Sequence, residues 1–135
     1  MRKHHLLGAI LLCGGLFSCS SEVIQQANYE IIPLPQEIKI STGNFVLNDR
    51  TSNVYPKGND EMQQNANLLA TYIRQMSGKK LKVIDEQITS NVITLTTGLN
   101  TDNAEAYQLK VTPDNIIIRG ASEAGTFYGI QTLRK

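Results

Sequence analysis

Tryptophan is absent from the 135-residue chain, and its two histidines and two cysteines all lie near the N-terminus. His4, His5 and Cys13 precede the expected folded part, and Cys19 stands at its border. Ser-His-Asp and Cys-His catalysis both need an imidazole, and zinc sites nearly always use histidine or cysteine. The folded part therefore excludes these chemistries. Carboxylate chemistry, phosphate binding and partner binding remain.

The chain also lacks a charge excess, because its formal net charge is +1. No basic or acidic surplus indicates a nucleic acid or polyanion partner. Five scattered tyrosines and no tryptophan give little support to an aromatic platform of the kind that carbohydrate-binding modules present. Length and a hydrophobic content of 41% are typical of one soluble globular domain.

The N-terminus has the layout of a secretory signal. Arg2 and Lys3 precede the apolar run Leu6–Phe17, which is too short to span a bilayer. The run ends in Leu-Phe-Ser-Cys19 and resembles a bacterial lipobox, although Phe17 is bulkier than usual. We expect residues 1–18 to be a lipoprotein signal peptide, Cys19 to carry the lipid and 19–28 to be a polar tether. The alternative is an ordinary signal with an incidental cysteine.

One segment, from about Glu61 to Ser77, predicts an amphipathic helix. Its apolar residues recur at spacings of three and four, which is the helical period. They are Met62, Ala66, Leu69, Ile73 and Met76. Asp60 is the expected N-cap with Gln63 as its capping-box partner, and Gly78 is expected to end the helix in the left-handed conformation.

Alternating or β-branched runs on both sides of this helix predict strands. They lie at Ile38 with Ile40, and at 45–47, 51–55, 81–83, 92–96, 107–111 and 116–119. The last two runs flank Thr112-Pro113-Asp114-Asn115, a type I turn pattern, and predict a hairpin. We expect an α+β fold: a mostly antiparallel sheet with two helices on one face.

A second helix is predicted near the C-terminus. Ser122 is its expected N-cap, and Phe127, Ile130 and Leu133 have helical spacing. No glycine or proline stop signal follows before Lys135. We therefore expect the chain to be a truncated piece of a longer protein; a genuine C-terminal helix that frays is the alternative.

Two motifs resemble functional sites, one a catalytic carboxylate pair and the other a phosphate-binding loop, but neither has the residues that such a site needs. Asp85-Glu86 follows a strand, but Gln87 is next and no aromatic residue lies near, so a solvated turn is the better interpretation. Gly120–Thr126 has the position of a phosphate-binding loop, but it lacks the required lysine and contains Glu123. We predict no catalytic, cofactor-binding or metal-binding residue in this chain.

Four sequence motifs resemble glycoside hydrolase family 20. Ile31-Ile32-Pro33-Leu34-Pro35 followed by Gly43-Asn44-Phe45-Val46-Leu47 is similar to the opening of that family. Tyr107–Val111 with Ile116–Ile118 resembles its hairpin, and Gly120–Leu133 resembles the family's A-x-x-x-G-x-F-Y-G-x-Q-T-L helix. The resemblance covers residues 29–135, the whole expected domain.

The resemblance implies a non-catalytic α+β accessory domain whose last helix leads toward a TIM barrel. The family's enzymes remove terminal N-acetylhexosamine from glycans by substrate-assisted retaining hydrolysis, and their catalytic Asp and Glu lie on the barrel. The expected partners are a glycan, bound through that barrel, the barrel itself and a membrane, and the expected location is the cell envelope. We expect an exposed apolar patch where the barrel would sit. An accessory domain of an O-GlcNAcase-like or α-glucuronidase-like enzyme, or a stand-alone binding lipoprotein, are the alternatives.

Overall fold

The computed structural model describes residues 35–134, which fold into one sheet and two helices. The elements are β1 (Ser52–Val54), α1 (Asp60–Ser77), β2 (Lys82–Ile84), β3 (Val92–Thr96), β4 (Tyr107–Val111), β5 (Asn115–Gly120) and α2 (Glu123–Leu133). The predicted α+β class is confirmed, and all seven elements fall at predicted positions. The signal peptide, the tether, Cys19 and residues 29–34 lie outside the described residues, so those predictions stand as they were.

The strands form a mixed sheet in the order β2-β1-β3-β5-β4. β1 is parallel to β2 and to β3, and β3 is parallel to β5. Within the described sheet, only the β4–β5 pair is antiparallel, as the hairpin prediction required. The prediction of a mostly antiparallel sheet is wrong. The reason is that α1 connects β1 to β2, and a helical crossover brings the second strand back in the same direction.

Both helices cover one face of this sheet, as predicted. Paired strand positions share a face, so Leu95, Ile118 and Leu109 lie side by side across β3, β5 and β4. Ile118 touches α2 at Gly129, and the two helices pack against each other. The buried core consists of Met62, Ala66, Leu69, Ile93, Leu95, Ile116, Ile118 and Ile130.

Helix α1 begins one residue earlier than the sequence pattern indicated. Asn59, rather than Asp60, is the N-cap, and its side-chain oxygen accepts a hydrogen bond from Met62 N at 3.0 Å. Gln63 is not a capping-box partner, because its amide donates to the Tyr55 hydroxyl instead. Asparagine and aspartate are both good N-caps. The local sequence therefore does not decide between Asn59 and Asp60. Gly78 ends the helix with φ +74°, which confirms the predicted left-handed position.

The predicted strand at Ile38 and Ile40 is not formed. Both side chains are exposed, Ile40 by 75%. Alternation specifies a strand only when one face becomes buried, and here neither isoleucine faces the core. The predicted strand at 45–47 is not formed either, although Phe45 and Leu47 are half-buried and pack against the core. Within residues 35–134, neither helix has the length and apolarity needed to cross a bilayer.

Candidate functional surface

The two motifs with possible chemistry lie where the sequence interpretation put them. Asp85 and Glu86 form an exposed bend directly after β2. No hydrogen bond or ion pair within residues 35–134 orients either carboxylate. Exposed carboxylates without burial or a fixed partner lack the environment that tunes a general acid or base.

Backbone atoms occupy the space around the glycines of the loop from Gly120 to Thr126. A Cβ on Gly120 would clash with both Ser122 O and Thr126 N, and one on Gly125 would clash with Ala106 O. Ser122 caps α2 by accepting from Gly125 N at 3.3 Å, which confirms the predicted cap. The glycines therefore permit close packing of α2. This geometry leaves no cradle for a phosphate at the start of the helix.

Metal ligands are likewise not gathered anywhere in the described part of the chain. Among residues 35–134, no three side chains of histidine, cysteine, aspartate or glutamate lie close enough together to hold an ion.

A shallow, open depression lies between the N-terminal halves of α1 and α2. This interhelical groove has a volume of about 380 Å³ and is lined by Glu61, Gln64, Asn65, Glu123, Ala124 and Phe127. Two hydrogen bonds fix its walls: Asn59 Nδ2 donates to Glu123 Oε1 at 2.9 Å, and Asn65 Nδ2 donates to Glu123 O at 3.0 Å. They join residues that are far apart in sequence.

The same contacts set the charge of the groove. The hydrogen bond from Asn59, assisted by one from the Glu123 backbone N–H, holds the pKa of the Glu123 carboxyl below its ordinary value, against a weak opposing effect of burial. Glu123 is therefore an anion at neutral pH, and Glu61 lines the same groove. The sequence interpretation had treated these residues separately, because no local pattern shows that two helix starts meet in space.

The C-terminal end of α2 is held from two sides. The Tyr107 hydroxyl of β4 and the Thr132 hydroxyl share a short hydrogen bond. On the other side, the Arg134 guanidinium lies 4.5 Å from the centre of the Tyr72 ring on α1. These contacts hold the last turn of α2 against β4 and α1.

Large exposed apolar side chains do not gather on the helices. Of those in the described residues, α1 and α2 carry Met76 and Tyr128, which are 62% and 41% exposed. The others are Ile38, Ile40, Val46, Ile88 and Val111, on loops and on β4. The expected apolar patch therefore remains a prediction, and the helical layer presents a mixed aromatic and polar surface.

These features define a class: an α+β domain with two helices over a mixed sheet and, in its described part, no assembled catalytic centre. The profile of glycosyl hydrolase family 20, domain 2, matches residues 28–135. This match covers most of the chain, which therefore belongs to that family.

A curated relative agrees with this assignment. A β-hexosaminidase from Porphyromonas gingivalis is 31% identical over 142 aligned residues, covering 97% of this chain and 18% of the relative. The chain thus spans about a fifth of the length of the relative that it matches.

Solved structures share the fold. The GH20 β-N-acetylhexosaminidase of Streptomyces coelicolor superimposes with a TM-score of 0.70 at 24% identity, covering 77% of this chain and 20% of that one. A mutant β-hexosaminidase of Streptomyces plicatus in complex with the product GlcNAc gives 0.72 at 22% identity, covering 82% and 22%. At these identities the likeness establishes the fold.

Proposed function

We propose that this chain is the non-catalytic domain of a β-N-acetylhexosaminidase whose catalytic barrel is a separate part of the same polypeptide. The observation that carries the proposal is the sequence match to the P. gingivalis β-hexosaminidase, which extends over 97% of the chain. The GlcNAc product in the S. plicatus structure supports N-acetylhexosamine as the sugar that the whole enzyme releases.

The chemistry is then assigned to the barrel. In the proposed mechanism the acetamido oxygen of the substrate attacks its own anomeric carbon, and configuration is retained. An Asp of the barrel orients the acetamido group, and a Glu of the barrel acts as the general acid and then as the general base. The described residues contribute no group to this step; their role is to pack beside the barrel and to fix the path of the chain at α2.

Expression of the whole open reading frame that contains this chain tests the proposal. We expect the product to hydrolyse a chromogenic N-acetylglucosaminide with retention of configuration. If the frame ends at Lys135, the hydrolase assignment is wrong for this protein and a stand-alone binding role replaces it. If a barrel follows but releases a different sugar, an accessory domain of another glycosidase family replaces it.

We further propose that the polypeptide is a lipoprotein of the cell envelope, anchored through Cys19 after removal of residues 1–18. Its support is the apolar run Leu6–Phe17 followed by Ser18-Cys19. Metabolic labelling with an alkyne fatty acid should mark the wild-type chain and not a Cys19→Ser variant. Labelling that persists in the variant, or none in the wild type, contradicts the anchor.

A further inference from the structure

The two edges of the sheet differ in how open they are. The strand order leaves β2 and β4 as the edge strands of the described sheet. β2 has three residues, whereas β4 has five, and each of these five pairs with a residue of β5 in an unbroken register. Proteins commonly protect an edge strand by keeping it short or by bulging it. β4 has neither form of protection, so its outer side is a template for another strand.

The hydrogen-bond pattern shows which backbone groups of β4 face outward. Just beyond its two ends, the backbones of Ala106 and Thr112 bond to the β5 side of the hairpin, each at 2.8 Å. Bonded and non-bonded positions alternate along an antiparallel ladder, so the even-numbered residues of β4 direct their N–H and C=O groups toward β5. The odd-numbered residues direct theirs away from the sheet. These residues are Tyr107, Leu109 and Val111.

The side chains at these outward positions offer apolar contacts on the helical face of the sheet. Leu109 packs against the core but is only half-buried, and Val111 is 41% exposed. A strand added to β4 would place every second side chain beside them. Apolar side chains at those positions would therefore be partly buried against Leu109 and Val111.

The opposite, helix-free face of the sheet is basic beside this edge. Gln108 and Lys110 lie on that face of β4, Arg119 lies opposite Gln108 on β5, and all three are exposed. None of the five strands contains an acidic residue. Neither ion pair within residues 35–134 involves Lys110 or Arg119. The remaining side chains of an added strand would thus meet uncompensated positive charge, which acidic residues complement.

The same charges disfavour a second copy of this chain as the added strand. If two β4 strands paired about a two-fold axis at Leu109, both Lys110 side chains would lie on one face, diagonally across the new junction, and would repel each other. Glu105 and Asp114 lie just beyond the two ends of β4 and would repel acidic residues there. The partner that fits is therefore a strand whose acidic residues lie near its centre.

We infer that the open edge of β4 binds an extended segment of another protein in which apolar and acidic residues alternate. The segment extends the five-stranded sheet, with its apolar side chains beside Leu109 and Val111 and its acidic side chains beside Lys110. Backbone hydrogen bonds supply the affinity of such strand addition, and the alternate side chains supply its specificity. The inference goes beyond the proposed function and does not depend on it.

Amide hydrogen exchange tests the pairing directly. The probe is a short acetylated and amidated peptide that alternates valine with glutamate, and the control peptide alternates valine with lysine. In the 135-residue chain without peptide, we expect the N–H groups of Leu109 and Val111 to exchange fast and those of Gln108 and Lys110 to exchange slowly. A saturating concentration of the glutamate peptide should slow the first pair by about tenfold or more. The lysine peptide should leave their exchange unchanged.

Three results of this experiment would overturn the inference. The first is unchanged exchange at Leu109 and Val111 in the presence of the glutamate peptide. The second is slow exchange at both positions before any peptide is added, which would mean that the chain covers this edge itself. The third is protection that grows with protein concentration in the absence of peptide, which would identify a second copy as the occupant.

Charge variants test the preference for acidic residues. Lys110→Gln with Arg119→Gln should weaken binding of the glutamate peptide by about tenfold. Arg74→Gln with Lys80→Gln removes the same charge beside β2, at the far edge of the sheet, and should leave the binding unchanged. Equal losses in both double variants would mean that only the net charge of the domain attracts the peptide, and the inference would be overturned.

A proline variant tests the backbone contribution. Val111→Pro removes an N–H that faces outward, and an edge strand tolerates proline at such a position. Val111→Ala is the control, because it shortens the side chain but keeps the N–H. We expect the proline variant to bind the glutamate peptide much more weakly than the alanine variant, while the slow exchange of Gln108 and Lys110 shows that the hairpin is intact. Equal affinities would contradict strand addition.

The whole polypeptide supplies the last measurement. Fluorescence anisotropy of the labelled glutamate peptide should give the same dissociation constant with the whole polypeptide as with the 135-residue chain. An absence of binding to the whole polypeptide would mean that its other parts cover β4, and the inference would be overturned.

Discussion

The two helices of this domain are specified in different ways. Helix α1 has 18 residues, a side-chain cap at Asn59, a left-handed stop at Gly78 and a buried stripe of Met62, Ala66 and Leu69. Helix α2 has 11 residues, and its buried positions include Gly125, Thr126 and Gly129. It has no basic residue in its last turn and ends at Arg134 in the right-handed conformation.

This difference separates local from tertiary stabilisation. An interior glycine costs a helix about 1 kcal/mol relative to alanine, so α2 carries two unfavourable residues. Contacts with the sheet offset that cost, since Gly129 lies so close to Ile118 that a Cβ would clash with its Cγ2. The local sequence of α1 is therefore enough to predict this helix. The stability of α2, by contrast, depends on its close packing against β4 and β5.

The largest effect is expected in the core stripe of α1. Leu69 is 1% exposed, so Leu69→Ala should lower the free energy of unfolding by about 3–4 kcal/mol through lost burial and a cavity. Denaturant unfolding measures it. Met76→Ala on the same helix is the control, because Met76 is 62% exposed, and should cost under about 0.5 kcal/mol. Similar losses in both variants would mean that the stripe does not face the core.

The next largest effect is expected at Gly125, where alanine should be less favourable than glycine although alanine is the better helix former. Gly125→Ala should improve helix propensity, yet its Cβ would clash with the Ala106 carbonyl oxygen. We expect a net loss of about 2–3 kcal/mol from overpacking, measured by the same unfolding curve. Ala70→Gly on α1 is the counterpart, with a loss of about 1 kcal/mol from propensity. A stabilised Gly125→Ala variant would show that α2 follows local rules after all.

A smaller effect is expected where β1 meets α1. Asn53 is fully buried, and its Nδ2 donates to Ala66 O at 2.7 Å, while Oδ1 has no partner among the described residues. Asn53→Ala loses this hydrogen bond and the packing of the side chain, but it also removes the unsatisfied oxygen. We expect the net effect to lower the free energy of unfolding by about 1–2 kcal/mol. Asn67→Ala on the exposed side of α1 is the control. An unchanged unfolding midpoint for Asn53→Ala would mean that the hydrogen bond from Asn53 to Ala66 does not stabilise the fold.

The smallest effect concerns pH and the junction of the two helices. Because the pKa of Glu123 lies below its ordinary value of 4.5, its stabilising contribution is present above about pH 4.5 and is lost as pH falls through the lowered pKa. Asn59→Ser keeps a capping oxygen but removes the amide donor, so the pKa of Glu123 should rise toward its ordinary value. An NMR titration of the Glu123 carboxyl measures this.

A matched variant controls that titration. Asn65→Ser removes the bond to the Glu123 backbone carbonyl and leaves the carboxylate bond from Asn59 in place. We expect the Glu123 titration of this variant to match that of the wild type. If Asn65→Ser raises the pKa as much as Asn59→Ser does, the carboxylate bond is not the cause of the shift.

Much of the fold followed from local patterns, and the errors have physical reasons. The period of α1, the stop at Gly78 and the turn at Pro113 act over a few residues, so the helix and the β4–β5 hairpin were predictable. The parallel pairing of β1 with β3 joins segments that are far apart in the sequence, and no turn encodes it. The strand–helix–strand order of β1, α1 and β2 did carry a signal for parallel pairing.

The candidate surface was less accessible to prediction. Glu61 and Glu123 each appeared as an ordinary charge in the first turn of a helix, and their shared groove depends on the packing of α1 against α2. The absence of histidine beyond His5 was visible from the sequence alone. It removed imidazole chemistry from consideration at the outset, because composition requires no knowledge of the fold.

Activity of the 135-residue chain by itself is the most direct measure of whether this domain is non-catalytic. The chain and the whole polypeptide are assayed side by side, at equal and at high concentration, on a chromogenic N-acetylglucosaminide. We expect hydrolysis by the whole polypeptide and only the buffer rate with the chain alone. Turnover by the purified chain that scales with its concentration would contradict a non-catalytic role.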